Sequence, residues 1–224
     1  MGIFQIKSSL TKLGLLLLGS FSLLSCGKNI PDRILAYSND FETANKAEFK
    51  IYSATGLVDS TKITEFNNNK IFGRFNSNLV VFQYNQLPEH NVIKIELDLY
   101  IHDDWKGNFI APGAPYPDLW QMKLDNNPIY LTSFSNGTND QLFPNNYQPT
   151  LINNKAFSNS WAVYPGVCSK AGQSNGTSYY KLEYITSHKG PIELAFQDVS
   201  ATASSLCTKS WSIDNLKLTA INKP

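Results

Sequence analysis

The stretch Val92 to Ile101, VIKIELDLYI, limits this chain more than any other. Ile93, Ile95, Leu97, Leu99 and Ile101 alternate with Lys94, Glu96, Asp98 and Tyr100. A two-residue period places the apolar set on one side of an extended strand and the polar set on the other. The same alternation returns in LWQMKLD (Trp120, Met122, Leu124), in YYKLEYITS (Tyr180, Leu182, Tyr184) and in PIELAF (Ile192, Leu194, Phe196). Weaker strands are predicted at 48–53, 70–75, 79–84 and 129–134. Helical periodicity is nearly absent beyond the first 25 residues. Asn136-Gly137 and Asn175-Gly176 read as turn dipeptides, because both residue types tolerate positive φ. The prolines of Gly107 to Pro117 exclude a central strand there. Many strands, long polar loops and no helices predict an all-β fold, an antiparallel β-sandwich.

The N-terminus reads differently. Lys7 and Lys12 precede an apolar run from Leu13 to Leu24, and the first acid is Asp32. That is the layout of an export signal, too short to span a bilayer. It ends in Leu23-Leu24-Ser25-Cys26, which resembles the bacterial lipobox. The resemblance implies a lipoprotein cut before Cys26, with the lipidated thiol as a membrane anchor. Gly27 follows instead of aspartate, which implies the outer membrane in a Gram-negative cell. The expected organisation is a signal peptide over 1–25, a tether over 26–35 and one domain over 36–220. Cys168 and Cys207 are then left in an oxidising compartment, where a disulfide is expected.

Loss of Lys7 and Lys12 from the 19 basic residues leaves 17 against 18 acids. No basic run interleaves with aromatics, so nucleic acid is not an expected partner.

The ends carry a further pattern. Asn39-Asp40-Phe41-Glu42 opens the domain, and SWSIDNLKL, Ser210 to Leu218, closes it. In the latter the apolar phase slips by one at Asp214-Asn215, the mark of a β-bulge. These ends resemble the terminal strands of jelly-roll modules, among them bacterial carbohydrate-binding modules and the MAM and reelin-type domains. LDLYIHDDWKGN, PDLWQMKLD and TSFSN are similar to a jelly-roll domain of uncharacterised bacterial secreted proteins. The resemblance implies a jelly roll with paired terminal strands. It also implies a structural calcium ion, Ca2+, drawing on Asp40, Glu42, Asp214 and Asn215, since calcium takes six to eight oxygens. A weaker second set is Asp103, Asp104, Asn108 and Asp118, although Lys106 stands where that pattern often has an acid. The alternative there is a polar turn in which aspartate bonds backbone amides.

For function, aromatics in long loops suggest sugar binding: flat C–H faces stack on rings while acids and amides read hydroxyls. Trp105, Tyr116 and Trp161 are the candidate ligand residues, with anchoring of their own loops as the alternative. Trp120 and Trp211 share phase with apolar neighbours and are expected in the core. Gly172 to Gly176, GQSNG, matches a nucleophile-elbow pattern but lacks the required helix, so Ser174 is not expected to react. Glu96 and Asp98 resemble part of the E-x-D-x-E strand of jelly-roll glycoside hydrolases. Tyr100 replaces the last glutamate, and an exposed sheet face is the simpler reading. His102 is expected on a surface loop, and none of the three histidines has an evident partner. The expected function is a non-catalytic glycan or polysaccharide-binding module of the cell envelope. A protein-interaction module and a hydrolase or lyase are the alternatives.

Overall fold

The structure, a computed structural model, describes residues 32–223 except 44, 46 and 59–61. The expected signal peptide and Cys26 lie outside the described residues. Thirteen strands follow one another: β1 (Asp32–Asn39), β2 (Phe49–Ser53), β3 (Gly56–Leu57), β4 (Ile63–Phe66), β5 (Asn69–Phe75), β6 (Leu79–Tyr84), β7 (Val92–Asp103), β8 (Leu119–Leu124), β9 (Asn127–Thr132), β10 (Ala162–Tyr164), β11 (Thr177–Ser187), β12 (Ile192–Val199) and β13 (Lys209–Asn222). One sheet runs β10-β11-β7-β13-β5-β4, with β1 also on β13; the other runs β3-β2-β6-β12-β8-β9. From β5 to β8, and again from β11 to β13, the chain crosses between sheets at each step, which winds it as a jelly roll. The β-sandwich expected from alternation is the fold.

The inward set from each strand builds the core. Trp120 and Trp211, both fully buried, meet edge to face at 6.2 Å. Phe49, Phe72, Phe75 and Phe82 continue the packing. Each such ring contributes roughly 1.5–3 kcal/mol through burial alone.

Terminal pairing follows the expected course. β1 lies antiparallel to β13 from Asp32↔Asn222 to Asn39↔Leu216, so Asp32 to Leu35, expected as tether, already belong to the sheet. Phe41 then turns inward and stacks on Phe72 at 5.0 Å, and Phe72 is the cross-strand partner of Ile213. Between Asp214 and Lys217 the β7–β13 register shifts, and Asn215 takes φ 51°. That is the bulge expected from the slipped phase.

The outer face of the first sheet differs from expectation. Tyr100 does not face solvent. It stacks on Tyr179 at 4.8 Å and is covered by Phe66 at 5.6 Å, with Tyr164 packed beside them. A strand whose polar face ends in tyrosines can bury that face too, under a neighbouring edge.

Candidate ligand site at the loop crest

The stretch HDDWKGN, His102 to Asn108, stands where β7 leaves the sheet. His102 is not a surface loop residue. It lies on β7, fully buried, with Nδ1 3.2 Å from Thr177 Oγ1 and Nε2 3.1 Å from Ser212 Oγ. Burial, with Arg74 adding to it, pulls its pKa down to about 3, so the ring is neutral.

Asp103 follows at φ 66° and turns its side chain back under the crest. Its Oδ1 accepts the amides of Val167, Cys168 and Lys170 at 3.2, 2.9 and 3.0 Å, and Oδ2 faces Arg74 at 3.7 Å. Asn108 donates to the Ile152 carbonyl and accepts from Ser133. Asp118 is ion-paired with Lys209. Asp103, Asp104, Asn108 and Asp118 each have separate protein partners, and Asp103 bonds backbone amides.

Gly107 shows why the loop needs that residue type. At φ 59° a Cβ would stand 2.1 Å from the Asp140 carbonyl oxygen. Trp105 is 1% exposed, with its indole N–H donating to the Ser210 carbonyl at 2.9 Å. It is a floor for the crest and not a ligand platform.

Above that floor lies a pocket of about 160 Å³, lined by Asp104, Lys106, Phe109, Tyr116, Asp118, Ser204, Thr208 and Lys209 among others. Its charges are paired. Asp104 stands 3.4 Å from Lys106 and 3.7 Å from Lys170. Lys209, buried, lies 5.2 Å from the Trp105 ring centre and donates to Ser200. Phe109 is 47% exposed, with Lys106 over its ring at 5.8 Å. The pocket is small beside the roughly 300–1,000 Å³ of common small-molecule sites.

Trp161, 69% exposed, is elsewhere. Its ring sits 4.4 Å from Lys181 Nζ, and Lys181 pairs with Asp98, five positions before Asp103 on β7. At about 3.3 Å per residue that is ~17 Å down the sheet from the crest. Trp105, Tyr116 and Trp161 thus do not form one groove.

Glu96 and Asp98 line a shallow trough of about 430 Å³ on the sheet face, with Lys181, Glu183, Asn215 and Lys217. Glu96 is paired with Lys94 at 2.8 Å. Asp98 accepts from Asn215 Nδ2 at 2.8 Å. Asp214, its cross-strand partner, is buried and accepts from Asn69 Nδ2 and the Asn215 amide, both at 2.7 Å. Burial pushes Asp214 up to about 7; Asp98 and Glu42 push the same way, against the amide donors.

Glu42 accepts the Lys70 amide, while Asp40 caps the Glu42 amide. Among the described residues no three His, Cys, Asp or Glu side chains gather as a metal-holding group. Glu42, Asp214 and Asn215 are thus each engaged with other groups of the protein.

Two features escaped the sequence. Asn136 is no simple turn residue. Its Nδ2 reaches the carbonyls of Ile101, Asp103 and Gly176 at 2.7, 3.1 and 3.2 Å, and its Oδ1 accepts from Ser178 at 2.6 Å. Cys168 and Cys207 are bonded, with Cα atoms 5.0 Å apart, joining the β10–β11 loop to the β12–β13 loop. The bond was expected; its place beside the pocket was not. Ser174 is exposed in a loop without a helix.

No protein-family model matches the chain, and no curated protein matches it. Among solved structures it is similar to the native structure of a family 35 carbohydrate-binding module from Clostridium thermocellum. The two are 10% identical, with 84% of this chain and 97% of that chain covered and a TM-score of 0.32. So low a score adds nothing to the functional argument. The class that the strands define is an antiparallel β-sandwich with a loop pocket at one pole.

Proposed function

We propose that this protein is a non-catalytic glycan or polysaccharide-binding module of the cell envelope, and that the crest pocket holds the sugar. The observation that carries this reading is the lining. The rings of Tyr116 and Phe109 line one small pocket with paired acids, ammoniums and the Thr208 hydroxyl. Rings take the C–H face of a sugar, and the polar groups exchange hydrogen bonds with its hydroxyls.

A glycan array followed by calorimetry on the best binder tests it. Tyr116→Ala and Phe109→Ala each weaken binding by roughly 10–100-fold, or about 1.4–2.8 kcal/mol. Trp161→Ala, on the other surface, leaves affinity within about twofold. Silence on every glycan moves the pocket to the protein-interaction reading, with an envelope protein as partner.

Anchoring belongs to the same proposal: a lipid on Cys26, after removal of 1–25, ties the module to the outer membrane. The intact mass of the mature protein tests it, and an unmodified Cys26 ends it.

A second reading rests on the trough. Glu96 and Asp98 open onto it, with Asp214 beside Asp98, so a hydrolase or lyase would work there. Asp98→Asn abolishes any such turnover, while a binding module shows none to abolish.

Asp214 makes a pH signature. Its folded pKa of about 7 exceeds the ordinary carboxyl value of 3.8, so the folded state binds the proton more tightly than the unfolded chain. Stability from this group is greatest below pH ~4 and falls as pH rises toward ~7, with a slope of at most about 1.4 kcal/mol per unit. Asp214→Asn flattens that window in denaturant melts taken at each pH. Calcium added in the same series tests the ion expectation. A rise of several degrees in millimolar calcium, lost in chelator, supports an ion at the terminal seam, and no rise removes it.

A further inference from the structure

At the pole opposite the crest, three groups meet that the pocket does not use. His90 lies just before β7, His188 just after β11 and Asp125 in the β8–β9 turn. His90 Nε2 and His188 Nδ1 are 2.8 Å apart. The ring planes differ by 15° and the centroids lie 5.1 Å apart, so the rings meet edge to edge, nearly in one plane, along an N–H···N axis.

The outer nitrogens settle the hydrogen count. His90 Nδ1 is 2.7 Å from the Pro88 carbonyl, and His188 Nε2 is 3.0 Å from Asp125 Oδ2. A carbonyl and a carboxylate only accept, so each outer nitrogen carries a hydrogen. Two neutral imidazoles own two hydrogens between them. Both would be used outside, leaving two lone pairs pointing at each other across 2.8 Å. Three hydrogen bonds need three hydrogens.

We infer that His90 and His188 hold one additional proton between them, balanced by Asp125, and that this proton closes a clamp between the two sheets. Asp125 brings the second sheet into it. Its Oδ1 accepts the Glu193 amide of β12 at 2.9 Å, and its own amide donates to the Glu193 carbonyl at 2.9 Å. The His188 amide donates to the Asn91 carbonyl at the entry to β7. Of the neighbouring charged groups, the Glu193 carboxylate is engaged by Gln83 at 2.8 Å, and Glu89 and Lys189 are exposed. The Lys223 backbone is held by Asn91. Asp125 is thus the anion that meets the pair. A metal on the line between the rings would stand about 2 Å from each nitrogen and hold them ~4 Å apart; the observed gap fits a proton.

The middle bond of the clamp exists only while that proton is in place. Nitrogen-15 NMR of the imidazoles in the full chain at neutral pH tests this directly. Three protonated nitrogens of the four are expected, and two overturn the inference, as does stoichiometric bound metal. At neutral pH, His188→Gln lowers the melting midpoint by roughly 3–10 °C, since the three-bond chain is lost, and an unchanged midpoint also overturns the inference.

Discussion

Asp103→Ala lowers stability by about 3–5 kcal/mol, read as an earlier denaturant midpoint with an unchanged slope. The cause is what the carboxylate leaves behind. Three amides, of Val167, Cys168 and Lys170, lose their acceptor at once. Arg74 loses the anion at 3.7 Å. Burial already pulls the Arg74 pKa down, and Asp103 opposes that pull. Arg74 still donates to Ser210 and to the Leu206 carbonyl, so the damage centres on the β10–β11 loop. Asp103→Asn separates the contributions. Its amide oxygen still serves the three amides, but its NH2 group faces Arg74, and the loss is intermediate. A cost below about 1 kcal/mol for Asp103→Ala means the loop is held by something else.

Removal of the disulfide, by Cys168→Ser with Cys207→Ser, costs about 4 kcal/mol. The bond spans 39 residues, and the chain-entropy relation for a loop of that length gives that figure. For a domain of this size the melting midpoint falls by about 8–16 °C. On the proposed reading the change also weakens binding, because the same bond fixes the β12–β13 loop that forms one wall of the pocket. The two losses do not add. Asp103 accepts the amide of Cys168 itself, so a loop freed at one point has less left to lose at the other. A triple variant that loses the full sum shows the two restraints to be independent.

The fold was legible because burial writes itself into the sequence with a fixed period. Ile93 to Ile101 alternate, and their side chains alternate between core and outer face. Even the bulge announced itself, since an extra residue at Asp214-Asn215 shifts every apolar position after it. The crest was less legible. Trp105 carries the same letters whether it faces a sugar or a floor; only Ser210, 105 residues away, decides it. Asn136-Gly137 has the composition of a turn, yet its amide is buried against three carbonyls of other segments. His90 and His188 are 98 residues apart and meet only because β7 and β11 pair over their whole length. Contacts of that range leave no local period to read.

The twelve residues of β7 run the height of the sandwich, about 40 Å at 3.3 Å per residue. β1 enters at the foot of that column, where Asp32 pairs with Asn222 beside Val92. With a lipid on Cys26, six residues link the bilayer to that foot, a reach of at most ~20 Å. On the proposed reading the anchor and the sugar pocket then lie at opposite ends of that column, about 40 Å apart along β7.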